Sequence, residues 1–245
     1  MQDSGKPTTL DTLRLLDRHL KQIKFPPLPR LKVAPNEKAT LELVQWGIKA
    51  YCYPWLRHLS TLISGILTLN DVGNMAALRI VGRSAYELCA HVYYVKKHVK
   101  QHLDAEDLDA AWKFLMPAAT GRRYITQLYP DIDEMFPAGA HISKAVKVFT
   151  EIMPTGTGIE NDDDYSYLSE FCHPNMMAFA QHYDITEKGI EIRDRQKSEI
   201  GAFGGITAAA IQGLMTMMEL LEIGDEREVR GAVVGLLREL AATAQ

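Results

Sequence analysis

The sequence predicts an all-α fold: a multi-helix bundle carrying a small β-hairpin. Three observations lead there. Apolar residues recur at spacings of three and four through most of the chain, the period of a helix with one buried face. No alternation of strand and helix patterns suggests a parallel sheet. No glycine-rich loop stands between a strand and a helix, and Pro154-Thr155-Gly156-Thr157-Gly158 lacks the Lys-Ser/Thr of a phosphate loop.

The elements follow in order. Leu10, Leu13, Leu16, Leu20 and Ile23 recur at helical spacing and predict an amphipathic helix over 10–23. Pro26, Pro27, Pro29 and Pro35 forbid its continuation, because proline lacks the N–H donor and clashes with the preceding turn. Residues 1–35 therefore read as an N-terminal helical arm with a proline-rich linker, and 36–245 as the helical bundle domain. Asn36 suits the N-cap of a helix from Glu37, which Pro54 should kink or break before a second piece runs to about Leu69. Asn70-Asp71 can cap the next helix, expected over 72–100. A helix over 104–115 should stop at Pro117, one over 118–129 at Pro130, and another should cover 144–152.

After the loop at 154–164, residues 165–172 read as a short helix ended by Pro174. Residues 181–193 read as the hairpin, turning near Gly189. Two helices close the chain, over 197–223 and 225–242, with Gly224 between them and Asp225 as the second cap.

Composition narrows the class. The 245 residues are 47% hydrophobic and 24% charged, the balance of a soluble globular protein, which excludes a mainly disordered, collagen-like or polytopic membrane chain. The net charge of −4 argues against a broad electrostatic clamp on nucleic acid and leaves room for a local basic pocket. Arg122-Arg123-Tyr124 and Arg193, Arg195, Lys197 are small basic clusters that read as solvated charges. Cys52, Cys89 and Cys172 form no CxxC, which suits a reduced, cytoplasmic protein, and residues 1–5 carry no secretory pattern. Residues 201–218 hold no charge, with Gly201, Gly205, Ala209 and Gly213 every fourth residue. That face suits close packing in a buried helix better than a membrane span.

Two constellations bear on chemistry. Arg79, Arg83, Glu87 and His91 stand four apart and share a helix face. Spacing favours an Arg83–Glu87 ion pair with Arg79 and His91 at the helix margins. The sharper alternative is a pocket in which arginine binds an anion and Glu87 orients a partner. The second constellation is Tyr165-Ser166-Tyr167-Leu168-Ser169-Glu170-Phe171-Cys172-His173-Pro174-Asn175. Ser169 and His173 are four apart, but no G-x-S-x-G elbow exists to make a serine nucleophile. Cys172 and His173 are adjacent, so on a helix they diverge by about 100° and form no nucleophile pair. Backbone capping beside Pro174 is the plainer role. Metal is not predicted: Glu87, His91 and His173 lack the paired Glu-x-x-His motifs of di-iron bundles, and Asp162-Asp163-Asp164 lacks calcium-loop spacing. No cofactor is predicted either.

The helix from Leu78-Arg79 to Arg83-Ser84-Ala85-Tyr86-Glu87, followed by Tyr165-x-x-Leu168-Ser169-x-x-x-His173-Pro174, resembles HEPN-like helical domains of prokaryotic families. The resemblance spans about residues 39–223. In catalytic members an arginine and a histidine four to six residues apart, near a helix terminus, cleave RNA without metal. His173 matches the histidine, whereas Ser166, Tyr167 and Leu168 fill the arginine positions. The resemblance therefore implies one of two things. The first is a non-catalytic binding or interaction protein. The alternative is a metal-independent ribonuclease in which Arg83 holds the phosphate, Glu87 positions Arg83, and His173 helps activate the 2′-hydroxyl. Arg79, Tyr165, Ser169 and Asn175 would line the binding site in either case. A homodimer, RNA as partner and a defence or toxin–antitoxin setting are implied by the same resemblance.

Overall fold

Helix caps and apolar periodicity divide the chain into its elements in the computed structural model, which describes residues 8–29, 38–120, 142–153, 183–186, 189–192 and 200–243. Seven helices stand among these residues: α1 (Thr9–Gln22), α2 (Leu41–Asp71), α3 (Met75–Asp104), α4 (Leu108–Thr120), α5 (Ile142–Thr150), α6 (Ile200–Ile223) and α7 (Arg227–Thr243). The class is all-α. Tyr183–Thr186 and Gly189–Ile192 run antiparallel, with Tyr183 opposite Ile192 and Thr186 opposite Gly189. The residues joining them, 187–188, and the side chains of both strands lie outside the described residues.

Several boundaries differ from the expected ones. Thr8 opens α1 with a capping box to Asp11. The cap of α2 is Thr40, whose hydroxyl accepts from the Leu43 N–H at 3.2 Å, while Asn36 lies outside the described residues. Pro54 does not break α2. It sits on the exposed face, so the carbonyl it leaves without a donor is not sealed in the core. Pro117 likewise lies inside α4. Asn70 and Asp71 end α2 rather than opening α3, which is capped by Asn74 through the Ala77 N–H at 3.1 Å. Between them Gly73 takes φ of 73°, the left-handed conformation that glycine adopts without strain. Asp225 also takes a positive φ, 47°, and the cap of α7 falls to Glu226. One Glu226 carboxylate oxygen accepts from the Glu228 N–H at 3.1 Å and the Val229 N–H at 3.3 Å.

The core is one continuous cluster. α3 makes its most extensive contact with α6 and also packs on α2, α4 and α5. The small-residue face of α6 is what lets it approach. A Cβ on Gly213 would stand 2.8 Å from the Cys89 sulfur and 3.2 Å from the Trp55 ring. Gly47 plays the same part between α2 and α4, where a Cβ would meet Leu115 and Trp112 at 2.9 Å. Phe203, Ile206, Ala209, Leu214, Met217 and Leu220 of α6 are all buried. By length and composition alone, Phe203–Ile223 is the one described helix apolar enough to cross a membrane. In this fold, burial against other helices accounts for most of its apolar residues, and an exposed stripe runs through Met215, Glu219 and Glu222.

α1 joins the same core. Leu13, Leu16 and Leu20 are buried against α2, α6 and α7. The chain after it lies against α2: the Trp46 indole donates to the Pro29 carbonyl at 2.8 Å, and Phe25 stacks on Tyr53 with centroids 5.0 Å apart. The Arg57 guanidinium lies 5.0 Å from the centroid of the Phe25 ring. Residues 23–29 carry no helix or strand and form a strap held by these contacts.

Candidate functional site

α3 carries the first constellation, and its geometry separates the four residues. Steps of four on a helix of 3.6 residues per turn precess by about 40° each, so Arg79 and His91 diverge by about 120°. They serve different surfaces. Arg79 is 2% exposed, inside the bundle rather than at its margin. The Arg83 Nε lies 2.9 Å from Glu87 Oε1, and both side chains keep about a quarter of their surface exposed, at 25% and 26%. The expected ion pair is therefore formed, and it sits beside solvent. Ile80, one turn before, is exposed, and Ser84 turns its hydroxyl back to the Ile80 carbonyl at 3.2 Å. An i,i+4 pair at a wet surface contributes only about 0.3–0.5 kcal/mol.

His91 faces α2. Its Nδ1 lies 2.8 Å from the Tyr51 hydroxyl, with the two rings 5.7 Å apart. Desolvation lowers the His91 pKa from 6.5, so the neutral ring is favoured. Burial raises the Tyr51 hydroxyl well above its usual range, so Tyr51 stays protonated and neutral. Cys52 and Cys89 are buried, and desolvation pushes both thiols up, which makes them inert packing groups. The Trp55 indole closes this seam by donating to the Leu88 carbonyl at 2.9 Å. Glu87 and His91 thus point to different neighbours, and among the described residues no group of three His, Cys, Asp or Glu is gathered for a metal.

Tyr165, Ser169, His173 and Asn175 lie outside the described residues, as do Cys172, Asp162 to Asp164, Arg122, Arg123, Arg193, Arg195 and Lys197. Of the residues singled out in the sequence, the structure brings Arg83 and Glu87 together and holds Arg79 in the core. It sets His91 apart from both.

Two arrangements escaped sequence reasoning. Tyr53 donates its hydroxyl to Glu226 Oε2 at 2.5 Å, joining the middle of α2 to the start of α7. Burial, then this bond, raises the Tyr53 pKa and keeps it a donor. Further along α3, His98 stacks between Tyr94 and Phe114, at 4.3 and 4.9 Å between centroids. Desolvation lowers the His98 pKa, with smaller contributions from His102 and Lys97. The seven-residue step from His91 to His98 and the four-residue step to His102 were the available signal for a histidine-bearing seam. No family model, no curated protein and no solved structure matches the chain.

Proposed function

We propose that this chain is a non-catalytic, HEPN-like helical-bundle protein that works by binding a partner and by self-association. One observation carries the reading: the described groups that catalysis would recruit are engaged inside the molecule. Arg83 is turned along its own helix to Glu87, and His91 is held neutral against Tyr51. A general acid–base group needs reach to a substrate proton, and His91 Nδ1 is spent on the Tyr51 hydroxyl in the α2–α3 seam. In this reading Arg79, Arg83 and Glu87, with Tyr165, Ser169, His173 and Asn175, order a binding surface. The small β-hairpin expected over 181–193 is kept in this reading. The protein is cytoplasmic, with α6 as a core helix rather than a span.

The ribonuclease reading keeps one support: the Arg83 side chain keeps about a quarter of its surface exposed. Incubation of purified protein with total cellular RNA and tRNA, with and without EDTA, separates the two. The expected result is intact RNA under every condition, with His173→Ala and Arg83→Ala indistinguishable from wild type in that assay. Cleavage that survives EDTA and vanishes in both variants overturns the proposal in favour of a metal-independent ribonuclease.

A further inference from the structure

α7 buries Val229, Val233, Leu236 and Leu240 and turns its opposite face to solvent. That outer face is ordered. Gly231 and Gly235 lie one turn apart along its middle, and among the described residues no atom stands within 4 Å of where a Cβ would be on either. Glycine is the poorest helix former after proline, and here neither position recovers that penalty by close packing against the described residues. Charge is sorted on the two sides of the glycine row. Arg227 and Arg238 are eleven residues apart, about 20° in projection, and form one edge. Glu228 and Glu239 have the same separation and form the other edge, about 100° around the helix. All six residues are exposed. Intramolecular partners occupy this face lightly: Arg227 lies 3.4 Å from Asp225 and is 91% exposed, and Glu239, 47% exposed, takes His19 at 2.8 Å.

We infer that this face is the seam of a parallel, two-fold homodimer. In it the Arg227/Arg238 edge of each copy meets the Glu228/Glu239 edge of the other across Gly231 and Gly235. The orientation follows from symmetry. A two-fold axis parallel to the helices turns the basic edge of one copy toward the acidic edge of the next at the same height. An antiparallel pair would set arginine against arginine and glutamate against glutamate, which is repulsive. The glycines let the two backbones approach closely enough for the flanking charges to span the seam. The inference rests on the self-association in the reading above and is independent of its non-catalytic part.

The test is light scattering coupled to gel filtration over a concentration series, on the full chain. Wild type is expected as a dimer that weakens with salt. Arg227→Glu with Arg238→Glu makes both edges acidic; Glu228→Arg with Glu239→Arg makes both basic. Each double variant is expected to dissociate at least tenfold more readily than wild type, and an equimolar mixture of the two to recover dimer. Because Glu239 also holds His19, Gly235→Leu serves as a second probe. Among the described residues no atom lies within 4 Å of a Cβ there, so its circular dichroism should match wild type and its unfolding midpoint, measured in protein dilute enough to be monomeric, should be no lower, while the dimer is lost. A monomeric wild type overturns the self-association reading and this seam together. A dimer indifferent to all three variants leaves self-association standing and overturns α7 as its surface. Dissociated double variants that do not recover on mixing overturn the parallel register. None of these results bears on RNA cleavage, so the two proposals fail separately.

Discussion

His91 shows how a residue in the first constellation acquires a role its spacing does not announce. On α3 it belongs with Arg79, Arg83 and Glu87 by count, yet accumulated precession delivers it to Tyr51 of α2. The consequence is a stability that depends on pH. The folded-state pKa lies below 6.5 because burial opposes the charged ring. As pH falls through about 6.5 the unfolded chain binds a proton that the native site resists, so stability declines. Above that pH both states are neutral and the group contributes no slope. His98 acts with the same sign. Urea midpoints at pH 7.5 and 5.5 should therefore fall toward acid in wild type, and fall less in His91→Gln, where His98 sustains the remainder. An identical acid loss in the variant would show that His91 does not titrate against folding. The Arg83–Glu87 pair was legible in the sequence because both partners lie on one helix, a turn apart. The Tyr53–Glu226 bond joins residues 173 positions apart and depends on how α2 meets α7, which no local pattern encodes.

At the scale of the element, apolar period located the helices, while their ends were decided by competition among equally suitable caps. Asn70, Asp71 and Asn74 are all good N-caps, and local propensity does not rank them. Packing does: α2 continues to Asp71, and α3 starts after the turn that Gly73 permits. The prolines were overvalued for a related reason. A lost N–H costs most where its orphaned carbonyl is buried, and Pro54 faces out. Glycine within helices carries the same lesson with measurable signs. Gly213→Ala drives a Cβ to 2.8 Å from the Cys89 sulfur and 3.0 Å from its Cβ in the tight α3–α6 seam. It should lose about 1–3 kcal/mol by overpacking. Gly235→Ala meets no described atom within 4 Å and should gain up to about 1 kcal/mol from helix propensity, measured in protein dilute enough to be monomeric. Denaturant midpoints compare the pair directly. Equal signs would mean that the α3–α6 seam relaxes freely or that α7 is not open at Gly235.

For the whole molecule the telling element is α1 with its strap. Sequence separates it from the bundle by a proline-rich stretch, yet its apolar face completes the core made by α2, α6 and α7. Leu13, Leu16, Leu20 and Ile23 are 0–5% exposed. At about 1.5–3 kcal/mol for each buried aliphatic side chain, they contribute together about 6–12 kcal/mol, an upper estimate because unfolded chains are partly collapsed. Domains of ordinary size are stable by only about 5–15 kcal/mol. The burial at α1 is thus of the order of the whole folding free energy, and the remaining helices should not hold their arrangement without it. Leu16→Ala, a milder probe than truncation, should cost about 2–5 kcal/mol. Removing residues 1–29 should replace cooperative melting with a broad, dye-binding transition, read by circular dichroism and ANS fluorescence. A truncated chain that melts cooperatively at the wild-type midpoint would overturn this account and make α1 an appendage. The physical reason to expect otherwise is that α6 is buried along most of its surface and exposes only a stripe through Met215, Glu219 and Glu222. A helix so largely apolar needs neighbours over the rest of its surface, and α1 is one of the walls that covers it.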